Sequence, residues 1–329
     1  MPPEKIKLLK EASSKEIFLS LARVKDTGRL FLGASNGQVY DIDLLAEKPE
    51  FKSWETHSTY VTGLALSGET LVSGGYDCKL IWRNITSGEV IRTVEGHSRW
   101  IRKLAVSPDR QRFASVADDM VCRVWEMESG KLVHELKGHE PITPNNFPSM
   151  LYTVAFSPNG QHLATADRVG QICVWDANGG GKVQTLQAPG LYTWDPKQRI
   201  HSIGGARSVA FSPNGETLVV GGIGHIGNID HLDGPSRVEA FAWQKGEKLH
   251  EFLGDAKGLV ESFAFGPDNK WFIGVGGDNG GLIQVYDLEA KKVTKSEKAP
   301  MHVHACVLNE VADKIFACGH GKVGVWEVS

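Results

Sequence analysis

The chain lacks any apolar run long enough to cross a membrane. Its opening stretch, "MPPEKIKLLKEASSKEIF", carries a charge every few residues, which argues against a secretory leader and leads us to expect a cytoplasmic protein. Cysteine is scarce, with five in 329 residues (Cys78, Cys122, Cys173, Cys306, Cys318). That odd number, scattered without a CxxC pair, fits reduced thiols better than a disulfide framework or a cysteine zinc cage. No block of like charge is present: 36 basic residues oppose 39 acidic ones. The broad basic footprint of a duplex-binding protein is therefore missing, which argues against nucleic acid as the main partner. Catalytic signatures are absent too, with no GxSxG, P-loop, HExxH or EF-hand spacing. The glycine-rich "ANGGGK" (177–182) and "GGDNGG" (276–281) fall at turns between predicted strands and open no helix, so neither is a phosphate cradle. No catalytic residue, cofactor or resident metal is assigned.

What is present is a repeat. "AVSPD", "AFSPN", "AFSPN" and "AFGPD" begin at Ala105, Ala155, Ala210 and Ala264, and "LIWRN", "RVWEM", "CVWDA", "QVYDL" and "GVWEV" begin at Leu80, Arg123, Cys173, Gln284 and Gly324. The spacing is about forty residues. Within a unit, short β-branched and aromatic runs alternate with Ser-Pro-Asp, Asp/Gly and Ser-Gly-Lys turn signals, which predicts four short strands. No segment sustains a helical period, so the chain is expected to be all-β. A four-stranded unit cannot bury its own faces, and radial stacking into a propeller is the closed solution. A chain of this length buries about three quarters of its unfolded surface and needs no metal or disulfide staple.

These units resemble WD repeats, the family of Gly-His to Trp-Asp repeats that form seven-bladed β-propellers, and the resemblance covers essentially the whole chain. It implies one domain over residues 1–329, a seven-bladed propeller of four-stranded antiparallel blades. Third strands are expected near 38–43, 79–82, 122–125, 172–175, 238–243, 283–286 and 323–326. The resemblance also implies a structural hydrogen-bonded set in each blade: a His before the first strand, a Ser or Thr on the second, an Asp in the turn to the third, and the third-strand Trp. The third unit carries His97, Ser115, Asp119 and Trp125. The second offers His57, Ser73, Asp77 and Trp82, with Asp77 one residue nearer the Trp. The fourth has His139, Thr165 and Trp175, with Val169 where the Asp belongs. Ile42, Phe241 and Tyr286 replace the Trp in units one, five and six, and His320 takes the Asp position of unit seven. Residues 5–12 resemble the fourth strand of unit three and are expected to complete the last blade, pairing the two termini and removing a sheet edge.

Three insertions interrupt the pattern: 140–150, 188–206 and the stretch within 221–243, "GGIGHIGNIDHLDGPSRVEAFAW". In WD-repeat blades such loops share one face, the top, and here they fall around blades four and five. Phe147, Tyr192 and Trp194 lie in the first two, as anchors for a partner or as small cores of the loops themselves. His225, Asp230, His231 and Asp233 are of metal-ligand type, yet their spacing matches no strong motif and Asp-Gly-Pro is ordinary turn chemistry. By alignment to Arg102, the starts of the first strands carry Tyr152, Arg207, Glu261 and His304, with Trp100, Met150 and His302 on the rim. The resulting expectation is a non-catalytic scaffold that binds a protein or peptide with both charged and apolar side chains on the top face, alone or as a subunit of a larger complex. The alternative is an enzyme or metal protein using the inserted loop 224–236.

Overall fold

The computed structural model describes residues 1–329 except 198–200, 228–232 and Asn279. Among the described residues there is no α-helix, only a 3-10 turn at Pro189–Leu191, and no helix long and apolar enough to cross a membrane. All five cysteines are free.

The recurring Ser-Pro-Asp/Asn segments close the first hairpin of their units. Ser107 Oγ accepts from the Arg112 amide at 3.0 Å while Asp109 Oδ1 accepts from that of Gln111 at 3.0 Å. Ser157 with Asn159 and Ser212 with Asn214 repeat the arrangement. These short polar side chains satisfy backbone donors that a tight turn leaves unpaired. Middle strands such as Arg112–Ala117 and Trp271–Gly277 are buried on both faces and read as apolar runs. The fourth strand Lys292–Ala299 alternates exposed and half-buried positions and carries lysines, as an outer edge exposed to water should.

Five sheets contain four antiparallel strands each, spanning residues 61–95, 101–137, 151–187, 208–257 and 259–299. A sixth contains six strands, with the order Val303–Leu308, Lys314–Val328, Ile6–Arg23, Arg29–Ala34, Gln38–Asp43, Lys52–Glu55. The expected seven blades are therefore corrected to six, five of four strands and one of six, because units one and seven share one continuous opening strand; a two-stranded ribbon of 192–194 and 202–204 stands apart from them. Ile6–Ser13 pairs with the closing strand (Ile6↔Val328 through Ser13↔Lys322), and Phe18–Arg23 pairs with Arg29–Ala34. The terminal pairing covers the expected 5–12, with Lys5 and Ser329 exchanging backbone bonds at 2.7 and 3.0 Å, and it continues through Ser13 to Ile17↔His320 before the strand runs on into unit one.

The closing strand turns back on itself. Extended, its 15 residues would span about 50 Å. Instead the Val328 amide donates to the Asp313 carbonyl at 2.8 Å, and the reversal lies at His320–Gly321, where Gly321 has φ +69°. The innermost strands contact one another in a closed ring: 61–67, 101–106, 151–156, 208–211, 259–265, 303–308, and the opening strand, which returns to 61–67. Apolar clusters fill the seams between sheets, as where Trp82, Leu104, Phe113 and Trp125 join units two and three.

Candidate functional site: the top face and the mouth of the channel

The structural histidines separate from the candidate site on geometry. In unit three the Trp125 indole donates to Ser115 Oγ at 2.9 Å, Ser115 lies 2.7 Å from His97 Nε2, and His97 Nδ1 lies 3.1 Å from Asp119. In unit four Trp175 donates to Thr165 Oγ1 at 2.9 Å and His139 Nε2 lies 2.8 Å from the same oxygen. The acid missing at Val169 is supplied from two residues earlier: Asp167 Oδ2 lies 2.8 Å from His139 Nδ1. Asp167 sits at the strand end, where counting back from the Trp does not look.

Unit two departs from expectation. His57 reaches Asp77 at 2.8 Å and Ser73 at 2.9 Å, but the Trp82 indole donates to the Met127 carbonyl of the next unit. Ser73 pairs with Ile81 as Ser115 pairs with Arg123, so Arg83, not Trp82, occupies the register of Trp125. A one-residue offset turns a side chain to the other face, and Trp82 instead packs edge-on against Phe113 at 5.5 Å. His320 is likewise reassigned. Its amide bonds to the His302 carbonyl as that of Asp118 bonds to Trp100, so it stands in the place of Asp118.

Units three and four give their buried imidazoles opposite protonation tendencies. Burial lowers the pKa of His97 and prevails over its bond to Asp119, with the Arg123 cation 2.8 Å from Nδ1 adding to the effect. At the equivalent register unit four has Cys173, and there burial is overcome by the bond to Asp167, together with Cys173, so that His139 is raised to about 9. A group raised in the folded state stabilises fully below its unfolded value of about 6.5 and loses that contribution as pH climbs through the folded one. The destabilisation caused by Asp167→Asn should therefore be larger near pH 6 than above pH 9, as measured by denaturant unfolding. Equal costs at both pH values would contradict the assignment.

Of the residues expected on the top face, Arg102, Tyr152, Arg207, Glu261 and His304 line one cavity of about 300 Å³ within the ring of inner strands. Arg102 is fixed by Asp118 through two bonds of 2.7 and 2.6 Å and lies over the rings of Tyr76, Trp100 and Tyr152. Arg207 stacks on Tyr152 with its guanidinium 3.8 Å from the ring centre. Lys103 faces the same cavity, and burial lowers its pKa. Burial would raise Glu261, but His302, His304 and Arg207 outweigh it and hold the carboxyl at about 2. Sequence reasoning missed Tyr60 and Tyr76. They stack in series with Trp100, at 5.3 Å between the tyrosines and 4.5 Å between Tyr76 and Trp100, which leaves Tyr60 44% and Trp100 50% exposed. The available signal was positional, since Tyr60 holds the register of Trp100 and Tyr76 that of Asp118.

The three insertions touch one another. Tyr192 donates to Asn145 Oδ1 at 3.1 Å and lies 2.9 Å from Ser202 Oγ, joining 140–150 to 188–206. Phe147 and Trp194 pack at 5.5 Å, and both lie about 6 Å from His201. The Ile226 amide donates to Thr193 Oγ1 at 3.1 Å, while Ile203 packs against Ile223, Ile226 and Leu259, which attaches the third insertion. Gly205, at φ +114°, passes 2.7 Å below Tyr152 when a Cβ is placed on it, so a side chain there would collide with the cavity wall. His225 is exposed, whereas Asp230 and His231 lie outside the described residues.

With this geometry in view, known proteins show the same repeat. The family pattern described as "WD domain, G-beta repeat" matches residues 88–126 and 130–176. Eukaryotic translation initiation factor 3 subunit I of Scheffersomyces stipitis is 31% identical over 243 residues, covering 68% of this chain and 61% of that protein. Protein transport protein SEC13-1 of Candida glabrata is 35% identical over 120 residues, covering 34% and 39%. Apoptotic protease-activating factor 1 of Rattus norvegicus is 28% identical over 174 residues, covering 53% and 13%. Residues 88–126 and 130–176 of the chain match the WD repeat pattern, and the relatives extend the similarity over as much as 68% of the chain. The chain spans less than two thirds of the length of each of these relatives.

Proposed function

We propose that this protein is a non-catalytic interaction scaffold of the cytoplasm. It binds a protein or peptide on the top face, beside units four and five. The observation that carries this reading is the contact among three insertions that are separate in sequence, together with exposed aromatics at the neighbouring channel mouth. Insertions that were merely tolerated would have no reason to share one side and bond to one another. Trp100 and Trp194, 50% and 36% exposed, present large rings at little ordering cost. Arg207, Lys103 and Glu261 give the mouth charges of both signs, which suits a peptide bearing charged and apolar side chains. The names of two relatives, a subunit of an initiation factor and a transport protein, agree with work in assemblies. Among the described residues of the loop 224–236, no observation favours chemistry there.

Tyr192 holds the insertions together, so its removal would mix folding with binding. The exposed indoles make the cleaner test. Trp100→Ala combined with Trp194→Ala should weaken a co-purifying partner by about thirtyfold, or about 2 kcal/mol, while unfolding shifts by only about 0.5 kcal/mol. Titration of the purified partner by calorimetry reads the first and thermal melting the second. Undiminished affinity in the double variant would refute the proposed face.

A further inference from the structure

Unit seven brings to the channel mouth a cluster that the repeat does not require. The histidine of the structural set belongs before the first strand, at the place of His97. His302 and His304 instead stand at the registers of Trp100 and Arg102. Across the seam, Glu261 enters from the neighbouring unit. His302 Nε2 lies 3.9 Å from Glu261 Oε1, and one donor atom from each of Glu261, His302 and His304 lies within 4.8 Å of the other two. His320 closes one side, its ring centre 5.1 Å from that of His302 and 5.0 Å from that of His304.

Two further observations point to a ligand. The Nε2 atom of His304 is buried with no hydrogen-bond partner, an arrangement that costs about 1–3 kcal/mol unless something satisfies it. His302 donates through Nδ1 to the Asp278 carbonyl at 2.9 Å, which orients the ring so that Nε2 is directed at Glu261 Oε1, 3.9 Å away. A ligating imidazole is oriented by just such an outer bond.

We propose that Glu261, His302 and His304 form a site for a divalent transition-metal ion, with zinc as the best match. Two imidazoles and a carboxylate suit zinc, whose bonds to nitrogen and oxygen of about 2.0–2.2 Å place tetrahedral donors about 3.4 Å apart. The observed separations, 3.9 Å for one pair and up to 4.8 Å, contract to that figure by about 0.5 to 1.4 Å, within the reach of side-chain rotations. Three protein ligands leave a fourth position open towards the cavity, for water or for a side chain of a bound partner. Arg207 faces the same cavity and repels a cation, so its removal should tighten binding. This site is separate from the inserted loop 224–236 and stands whether or not a peptide occupies the top face.

The test uses the full chain without a histidine tag, stripped with chelator and titrated with zinc chloride alone. One equivalent should bind, and zinc should raise the melting temperature. Glu261→Gln, which nearly preserves shape, and His304→Ala should each weaken binding tenfold or more and abolish the thermal shift, with metal-free melting near that of the parent. Arg207→Gln should bind more tightly than the parent. Cobalt should give the weak visible bands of nitrogen and oxygen ligation without the intense thiolate absorption that Cys306 would produce. No stoichiometric zinc, zinc held equally by the Glu261 and His304 variants, or a thiolate spectrum would each overturn the site.

Discussion

Deleting residues 1–13 is expected to lower the melting temperature by about 7 °C and to convert the protein into an associating species. Seven residues between Ile6 and Ser13 pair with the closing strand, and at about 1 kcal/mol net per ladder hydrogen bond their loss approaches roughly 5 kcal/mol. That is a large share of the 5–15 kcal/mol available to a typical fold. Ile6 also packs on the cluster of Trp326, Val328 and Ile315, and Ala12 on that of Phe316 and Val323. The freed edge of 322–328 would present unpaired backbone groups to another copy. Scanning calorimetry and sedimentation velocity read the two effects. An unchanged melting temperature with a clean monomer would contradict closure through the opening strand.

Trp125→Ala should cost about 3–5 kcal/mol, because a large ring leaves a cavity that its neighbours cannot fill. Trp125 is 5% exposed and stacks on Phe113 at 6.4 Å in the seam shared with Trp82. Its loss also removes the indole donor from Ser115, on which His97 and Asp119 are arranged. Partner affinity should fall only as far as the folded fraction does, as urea titration and calorimetry together would show. Loss of binding with full stability would mean that this set serves recognition and not the blade.

The repeat made the architecture legible because each unit restates the same strand and turn chemistry, and Ser107–Asp109 does in its hairpin what the motif implies. Register was less legible. Trp82 has the residue type of a blade tryptophan but sits one position early, and only the pairing of Ser73 with Ile81 reveals that Arg83 holds that place. Asp167 was hidden because a carboxylate can reach an imidazole from more than one backbone position. The joined sheet was hidden because a strand shared by two units has no boundary signal between Ser13 and Phe18.

The site was legible in position more than in composition. Alignment alone gathered Arg102, Tyr152, Arg207, Glu261 and His304, and the ring of inner strands brings them to one cavity. It could not show the stack of Tyr60, Tyr76 and Trp100, which depends on side chains meeting across two units. Nor could it show that His302 and His304 meet Glu261, a convergence of two neighbouring units onto one seam.

Amide hydrogen exchange on the complex with a co-purified partner tests the central claim most directly. Protection is expected at 140–150, at 188–197 and 201–206, and around Trp100 and Arg207. Protection confined to the opposite side, at the Ser-Pro turns 107–111, 157–161 and 212–216, would contradict it.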